Sequence, residues 1–299
     1  VTMKIGQILS FANDGLPEPA RAALGQLQRD APPMDWHLAR GVLEEELGDL
    51  SRHFRQVDEA PLAAASIGQV HRARLRDGTP VVVKVQYPGV ADAIEADLAV
   101  SGRLAGMIGL FHRNADARAI ADELAARVRE EVDYRLELRN QALFHRLWDG
   151  HPLIRVPEVY PDHSGRRVLC QGYREGLTFD DFLAASTARE RGVAVRVLND
   201  FVFDSLHRFH VFNGDPHPGN YLFHEDGAIT FLDFGCVKFF EPGFVAQLQA
   251  MNRALILGDR DAFDALVYSL GLVLPGRPYD RDFMWRFFRY HSAPFLEDR

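Results

Sequence analysis

Apolar residues at helical spacing mark the first part of the chain. Trp36, Val42 and Leu43 recur at steps of three or four residues or at sums of those steps, and Gly48 is typical of a helix stop. Four prolines interrupt the helical pattern nearer to the start of the chain: Pro17, Pro19, Pro32 and Pro33. We therefore predict that residues 1–53 form a helical extension.

The pattern then changes to one typical of β-strands. Ile67–Leu75 and Pro80–Gln86 either alternate between apolar and polar residues or run apolar. Between them lie Asp77 and Gly78, a pair that is typical of tight turns between antiparallel strands. This segment is therefore predicted to form a β-hairpin.

Two helical stretches and two further strands follow the hairpin. Val90–Phe111 and Ala115–Leu147 carry apolar residues at helical spacing, and both are predicted to be helices. Ile154–Tyr160 and Arg166–Gln171 are predicted to be strands.

The remainder of the chain is predicted to be mostly helical. Thr178 begins a capping-box-like sequence, and Val193–Phe212 is a long amphipathic run. A second hairpin is predicted from Asn220–His224 and Ala228–Asp233, and the residues after Pro242 are predicted to be helical.

Composition supports a globular protein of two lobes. The chain has 299 residues, of which 47% are hydrophobic and 25% are charged, as in ordinary globular proteins. We predict an α+β fold with a β-rich lobe over residues 54–171, including its inserted helices, and a helix-rich lobe over residues 172–299. A cleft between two such lobes is a natural ligand site.

Charge limits the classes of partner. The 34 Lys and Arg residues against 42 Asp and Glu residues give a net charge of −8, without a long basic block. This balance argues against nucleic-acid binding. An acidic protein binds anions only where basic side chains cluster locally.

The sequence favours a reducing compartment. Its two cysteines, Cys170 and Cys236, are far apart and form no CxxC pattern. The longest stretches without a charged residue have 12 residues, whereas a membrane span needs about 18–20 apolar residues. We expect a cytoplasmic or peripheral membrane protein whose natural chain extends upstream of Val1.

Three polar residues near the second hairpin suggest phosphate chemistry. Asp215 is followed after five residues by Asn220, and Asp233 comes 13 residues later at a strand end. Phosphoryl transfer needs a carboxylate near the acceptor, together with an amide and a second carboxylate that bind Mg²⁺. The order of these groups is that of a kinase C-lobe. Either piece alone is also typical of an ordinary polar turn.

Lys84 lies within an apolar strand, where a lysine is costly unless it is paired or faces water. A kinase keeps its phosphate-binding lysine at this place, upstream of the metal-binding residues. Glu131, Asp133 and Glu137 are the candidate partners. Asp133 and Glu137 share a helical face, whereas Glu131 points elsewhere.

An alanine-rich segment stands where a kinase has its glycine-rich phosphate loop. Alanine reaches positive φ less readily than glycine, so this segment is also compatible with a small-residue turn without function. Gln171 and Tyr173, on either side of Gly172, lie where the β-rich part ends. The predicted nucleotide-binding residues are Ala63, Ala64, Ala65, Ser66, Lys84, Gln171, Tyr173, Asn220 and Asp233.

Taken together, these motifs resemble the UbiB/AarF family of atypical, protein-kinase-like proteins. The resemblance covers residues 4 to about 240 and adds a Lys-x-Gly-Gln segment near the start of the chain. The motifs that carry it are Lys4–Gln7, Ala63–His71, Lys84–Val90, Glu131–Tyr134, Asp215–Asn220 and Asp233–Gly235.

The resemblance implies roles for individual residues. Lys4 and Gln7 would lie across the cleft that a protein substrate would enter, with Glu131 and Asp133 as their polar partners. Glu137 would pair with Lys84. Asp215 would act as base or acid, and Asn220 and Asp233 would bind Mg²⁺.

The family resemblance also implies a function. It implies ATP or ADP with Mg²⁺ as cofactors and an atypical kinase or ATPase that supports isoprenoid-quinone metabolism, such as ubiquinone biosynthesis. The acceptor would be small or lipid-like, and the resemblance leaves open contact with a membrane surface or with quinone-biosynthesis proteins. Asn213 and Gly214 replace the usual His-Arg before Asp215, and no Ala-Pro-Glu follows Asp233. Both departures argue against phosphorylation of other proteins.

Two alternatives remain open. A non-catalytic, nucleotide-gated scaffold would use the same residues, and only turnover separates it from an enzyme. A soluble small-molecule phosphotransferase shares the Gly214-Asp215 loop with Asn220, but the Lys4–Gln7 motif argues against it.

Overall fold

The structure is a computed structural model that describes residues 33–65, 67–96, 125–126, 129–273 and 278–292. They form two compact units, each with its own core. The first unit takes in the described residues of Val1–Ala194 and Asp215–Cys236, and the second those of Val195–Gly214 and Val237–Arg299. The lobe boundaries at residues 53 and 171 stay predictions.

The helices and strands are numbered in chain order. The strands are β1 (Phe54–Val57), β2 (Ala63–Ala65), β3 (Gly68–Leu75), β4 (Pro80–Gln86), β5 (Ile154–Arg155), β6 (Val168–Gly172), β7 (Val211–Asn213), β8 (Tyr221–Phe223), β9 (Ile229–Phe231) and β10 (Val237–Phe239). The helices are α1 (Trp36–Leu47), α2 (Tyr134–Leu147), α3 (Phe179–Ala185), α4 (Ala188–His207), α5 (Pro242–Leu257), α6 (Arg260–Ser269) and α7 (Arg281–His291).

A five-stranded antiparallel sheet forms the centre of the first unit. Its order is β1-β3-β4-β6, and β2 pairs with part of β3. The register places Ala63 opposite Val70, Val70 opposite Lys84, and Lys84 opposite Leu169. Residues directly opposite each other share a face of the sheet, so these four side chains form one row across it.

The predicted hairpin of β3 and β4 is confirmed. Gly78 has φ 91° in its turn, a conformation that glycine adopts without strain. Gly68 allows a close approach of the two strands, because a Cβ there would overlap the carbonyl oxygen of Val85. Gly68, at the start of β3, therefore allows the β3 and β4 backbones to approach closely near Lys84.

Helix α1 covers one face of the sheet. Ala39, Val42 and Leu43 are buried against the alternate β4 residues that include Val83. The predicted stop is confirmed, because α1 ends at Leu47 and Gly48 follows with φ 77°.

Helix α2 packs on the opposite face, where it contacts β6. The prediction of one continuous helix over residues 115–147 is wrong within the described residues, because the chain leaves the helical conformation at Val132 and Asp133. Asp133 has extended backbone angles, and its carboxylate accepts the Arg135 backbone N–H at 3.1 Å. A new helix therefore starts at Tyr134.

A small sheet, ordered β5-β9-β8, completes the first unit. The β8–β9 hairpin was predicted, as was the cap of α3, where Thr178 Oγ1 accepts the Asp181 N–H at 3.3 Å. Strand β5 has two residues, so the predicted strand over Ile154–Tyr160 is too long. Pro157 cannot donate to a ladder, and Val159 pairs with the other sheet instead.

One predicted helix that enters the second unit is too long. The predicted helix over Val193–Phe212 ends as α4 at His207. His210 adopts φ 58°, and β7 then pairs with β10. The β-branched and aromatic residues Val211 and Phe212 thus belong to a strand whose partner comes 26 residues later.

The helices predicted after Pro242 are confirmed for the described residues. Met251, Leu255 and Phe263 are buried in an apolar core to which Trp285 of α7 is added. Within the described ranges, no helix is long and apolar enough to cross a membrane.

Candidate functional site

Lys84 is buried among charged groups of the first unit. Its Nζ lies 2.6 Å from Glu137 Oε1 and 3.2 Å from Asp233 Oδ2. Only 7% of Lys84 and 4% of Glu137 is exposed. The position of Lys84 on β4 points its side chain away from α1 and toward α2, so a strand, a helix and a loop meet at one ammonium group.

The two carboxylates keep Lys84 charged. Burial opposes the charge, but Asp233 and Glu137 together hold the pKa of the ammonium well above its ordinary value. Burial, together with the Asp233 carboxylate, raises the pKa of Glu137, and Lys84 opposes that rise. Two carboxylates share one ammonium, so the group has an excess of negative charge when both are ionised.

Helix α2 positions both carboxylates. It carries Glu137 directly, and it holds the segment after β9 through two contacts with Phe234. Asn140 Nδ2 donates to the Phe234 carbonyl at 3.0 Å, and the Phe144 and Phe234 rings lie 4.8 Å apart. Asp233 Oδ1 also accepts the Gly235 N–H at 2.9 Å. The arrangement fixes Asp233 next to Lys84.

Asp215 and Asn220 lie close to each other in the loop before β8. Asn220 Nδ2 is 3.4 Å from Asp215 Oδ2, which leaves the amide oxygen of Asn220 as an acceptor. The Asn220 carbonyl accepts the Leu232 N–H at 2.9 Å, which places Asn220 beside the residue that precedes Asp233.

The oxygen atoms of this site suit a hard cation. Mg²⁺ prefers carboxylate and carbonyl oxygens and is bound in kinase sites by one or two carboxylates plus phosphates. Asp233 and Asn220 would hold it, with Asp215 nearby. No group of three or more His, Cys, Asp or Glu side chains that could hold a metal occurs among the described residues, at this site or at any other.

The alanine-rich segment forms one strand of a hairpin within the five-stranded sheet. Strand β2 pairs with β3 from Ala63 to Ala65, and Ala63 belongs to the row that contains Lys84. Because side chains alternate along a strand, Ala65 shares the face of Ala63, and Ala64 faces the other way. Ser66 lies outside the described residues.

Gln171 and Tyr173 lie farther along the same region. Gln171 is buried and accepts a 2.5 Å hydrogen bond from Gln141 of α2. The Arg72 guanidinium lies 4.7 Å from the centre of the Tyr173 ring. Val82 sits between Arg72 and Gln171 in the strand register and shares the face of Lys84. Val82 therefore lies in the row next to Lys84, between two polar residues, and the contact of Gln171 and Tyr173 with nucleotide stays a prediction.

The predicted cleft-occluding residues are only partly described. Lys4 and Gln7 lie outside the described residues. Asp133 caps α2 and pairs with Arg135 at 2.6 Å, while Glu131 is half-buried. Of the three acidic candidates for Lys84, Glu137 makes the contact.

Sequence reasoning missed several partners of the site. The direct contact between Lys84 and Asp233 was not predicted, nor was the Tyr134 ring 5.6 Å from Lys84 Nζ. Tyr134 directly follows Asp133 in the sequence, and its spacing alone did not indicate a position beside Lys84. Gln141 was not singled out in the sequence, yet it is fully buried and donates a hydrogen bond to Gln171.

Comparisons with known proteins identify the family. A family model described as the ABC1 atypical kinase-like domain matches residues 26–267. The chain belongs to this family. The ABC1 family is kinase-like, so the UbiB/AarF resemblance and the α+β kinase-like fold are confirmed at that level.

Relatives of this ABC1 protein bear names from the same family. An Arabidopsis thaliana protein named uncharacterized aarF domain-containing protein kinase, chloroplastic, is 35% identical over 283 residues. Another, named ACTIVITY OF BC1 COMPLEX KINASE 1, chloroplastic, is 33% identical over 280 residues. The matches cover 91% and 90% of this chain but 39% and 38% of those relatives, so the chain spans about two fifths of their length.

A solved structure has the same fold. It is a Mycobacterium tuberculosis protein whose structure was determined as a complex with erythromycin. The TM-score is 0.77 at 33% sequence identity, and the match covers 98% of this chain and 75% of that one.

Proposed function

We propose that this ABC1-family protein binds an adenine nucleotide with Mg²⁺ around Lys84 and acts as an atypical kinase or ATPase. The observation that carries the proposal is the buried contact of Lys84 with both Glu137 and Asp233. In kinases, a strand lysine paired with a helix glutamate binds phosphates, and a nearby aspartate binds the metal.

Each residue has a separate task in this proposal. Lys84 orients the nucleotide phosphates, and Glu137 keeps the ammonium in place as a positioning residue. Asn220 and Asp233 hold Mg²⁺, which when bound neutralises phosphate charge. Asp215 accepts the proton of an attacking hydroxyl group or orients a water molecule.

The proposed acceptor is a small or lipid-like molecule of isoprenoid-quinone metabolism. The departures before Asp215 and after Asp233 support this choice, since the segment that docks protein substrates in other kinases is short here. The name of the BC1 complex kinase relative is compatible with a role near quinone-dependent enzymes. Phosphorylation of other proteins is not proposed.

A nucleotide-gated scaffold is the second candidate. Both carboxylate oxygens of Asp233 already have a partner, which favours this candidate: one accepts the Gly235 N–H, and the other contacts Lys84. Mg²⁺ must compete with Lys84 for one of these oxygens. A site that binds nucleotide without releasing this contact would respond to nucleotide yet turn it over negligibly.

Turnover measurements separate the two candidates. Mg²⁺-dependent release of phosphate from ATP is measured with and without lipid vesicles, for the wild type and for Asp215→Asn. If the protein is an enzyme, Asp215→Asn should still bind ATP but should turn it over at least about 10²-fold more slowly. Equal, negligible turnover in both proteins with retained ATP binding would favour the scaffold. Absence of ATP and ADP binding to the wild type would overturn the proposal.

A further inference from the structure

A cavity of about 390 Å³ lies in the first unit, lined by none of the residues around Lys84. Its walls come from the end of α2 and the loop that follows, from β5, and from Arg174 in the segment after β6. The volume is within the range of small-molecule sites.

The wall of this cavity is rich in basic side chains. It includes Arg155, Arg174, His145 and His151, against the single acidic residue Asp149. The protein as a whole carries a net charge of −8. Asp149 in the wall and Asp226, which pairs with Arg155, balance the charge of the two arginines, so an anion would be held here by directed N–H donors.

The two histidines present complementary hydrogen-bonding groups. His151 Nδ1 accepts the backbone N–H groups of Ile154 at 2.9 Å and Leu153 at 3.3 Å, so its ring proton is on Nε2 and is available as a donor. His145 Nδ1 lies 2.8 Å from the Val156 carbonyl, which only accepts. Its proton is therefore on Nδ1, and its Nε2 is an acceptor when the ring is neutral.

The two arginines supply cationic N–H donors. Arg155 pairs with Asp226, an interaction that uses only part of its five-donor guanidinium group. Arg174 is exposed and forms no ion pair with any residue in the described part of the chain. Guanidinium groups bind phosphate oxygens through paired N–H donors, which makes Arg174 an available anchor.

Part of the wall is apolar. Trp148, Ile154 and Val156 are buried, with exposed fractions of 5%, 1% and 7%. The Trp148 ring stands edge-on to His151, with ring centres 5.2 Å apart. An aromatic part of a ligand would therefore contact only the accessible edges of these side chains, beside an anionic group on the polar wall.

We propose that this cavity binds a small organic phosphate, with its phosphate on Arg174, Arg155 and His151 and its apolar part on Trp148. A phosphate monoester matches both kinds of group in the wall. Near neutral pH it is mostly a dianion, and its oxygens accept hydrogen bonds from the two guanidinium groups and from the Nε2–H of His151. The site is independent of the nucleotide proposal, because the two sites share no residue.

Nuclear magnetic resonance of indole groups tests the location of binding. The chain has three tryptophans, Trp36, Trp148 and Trp285, so a ¹⁵N-tryptophan sample gives three indole signals, assigned with Trp148→Phe. Phenyl phosphate is titrated, with inorganic phosphate and phenol as the separate halves of the probe. Phenyl phosphate is expected to shift the Trp148 signal alone and to bind more tightly than either half. Unchanged Trp148, or equal shifts of all three signals, would overturn the proposal.

Matched arginine variants test the anchor. Arg174→Gln should weaken phenyl phosphate binding about tenfold or more, because a charged hydrogen bond is lost. Arg76→Gln, an exposed arginine in the β3–β4 turn, should leave the affinity unchanged. Both variants change exposed residues, and circular dichroism checks that each is folded. Equal affinity of Arg174→Gln and wild type would overturn the assignment.

Discussion

The two faces of the five-stranded sheet bury different kinds of polar side chain. The α1 face buries neutral groups: Gln69 and His71 are 1% and 0% exposed. The opposite face buries ions, with Lys84 and Glu137 in contact and Asp233 beside them. Both faces belong to the same strands, so their contrast is a matter of side chains and not of backbone.

On the neutral face, every side-chain nitrogen and oxygen of Gln69 and His71 has a hydrogen-bond partner. His71 Nδ1 donates to the Asp58 carbonyl at 2.8 Å, and its Nε2 accepts from Gln69 Nε2 at 2.8 Å. The Gln69 amide also bonds both the N–H and the carbonyl of Met34. These bonds join the start of α1 to β3, and their completeness indicates a structural role.

The charged face is not complete in this way. Among the described residues, the buried amide oxygens of Gln86 and Gln141 have no hydrogen-bond partner, and two carboxylates share one ammonium. Burying ions costs free energy that hydrophobic residues would not require. A face that keeps such groups is suited to binding a charged ligand, and the ligand we propose contains a cation and phosphates.

The largest expected effect comes from breaking the ion pair on the charged face. Lys84→Ala should lower the free energy of unfolding by about 3–5 kcal/mol, because two carboxylates remain buried without their cation. Glu137→Ala should also destabilise the protein and weaken nucleotide turnover, and the double variant should be little worse than either single variant. Denaturant unfolding and turnover assays measure both effects.

An exposed ion pair on α1 provides the control for this cycle. Arg40 and Glu44 are in contact at 2.7 Å, and about half of each side chain is exposed. The same double-mutant cycle should give a coupling of about 0.3–0.5 kcal/mol, as for helix surface pairs. Simple addition of the Lys84 and Glu137 losses would contradict the shared-pair account.

The neutral face predicts a dependence of stability on pH. Burial lowers the pKa of His71 below its ordinary value near 6.5, and the nearby Asp58 backbone only partly opposes this. The unfolded chain therefore takes up a proton before the folded one does. Stability is fully present above about pH 6.5 and falls below it, with a slope of up to about 1.4 kcal/mol per pH unit from this residue.

Replacement by a residue that does not titrate isolates this effect. His71→Asn keeps an amide donor and an oxygen acceptor, so the variant should show a shallower loss of stability between pH 6.5 and pH 5. Urea unfolding at several pH values gives the slope for each protein. An identical slope in wild type and variant would show that His71 is not the group responsible.

The smallest effect is expected at the alanine hairpin. Ala65→Gly, on the Lys84 face, should change the preference between ADP and ATP, because glycine frees the backbone that covers the phosphates. It should also raise phosphate incorporation into the protein itself. Ala64→Gly, at the residue that faces away from Lys84, should change this preference less. Each should cost about 0.4–1 kcal/mol of stability. Equal ADP/ATP ratios and equal incorporation in all three proteins would make the hairpin a simple turn.

The sequence predicts the local elements better than the long-range contacts. Turn residues such as Gly78 and capping residues such as Thr178 act on their neighbours, so the β3–β4 hairpin and the start of α3 follow from pattern. Strand β7 could not be predicted, because its partner β10 lies 26 residues away and Val211 continues the helical spacing of α4.

The same limit applies to the candidate site. Residue types and order selected Lys84, Asp215, Asn220 and Asp233, since phosphate chemistry needs them. Spacing alone could not select Glu137 from the three acidic residues, because a continuous helix would place Asp133 and Glu137 on the same face. The structure separates them, as Asp133 caps α2 and Glu137 lies one turn inside it.

Calorimetric titration of Asp233→Asn tests the central claim most directly. Wild-type protein should bind ATP or ADP in a way that depends on Mg²⁺, and the variant should lose that dependence because a neutral amide is a poor ligand for this cation. Asp180→Asn, an exposed residue of α3, should behave like the wild type. Mg²⁺-dependent affinity that is unchanged in folded Asp233→Asn would contradict the assignment of the charged face as the nucleotide site.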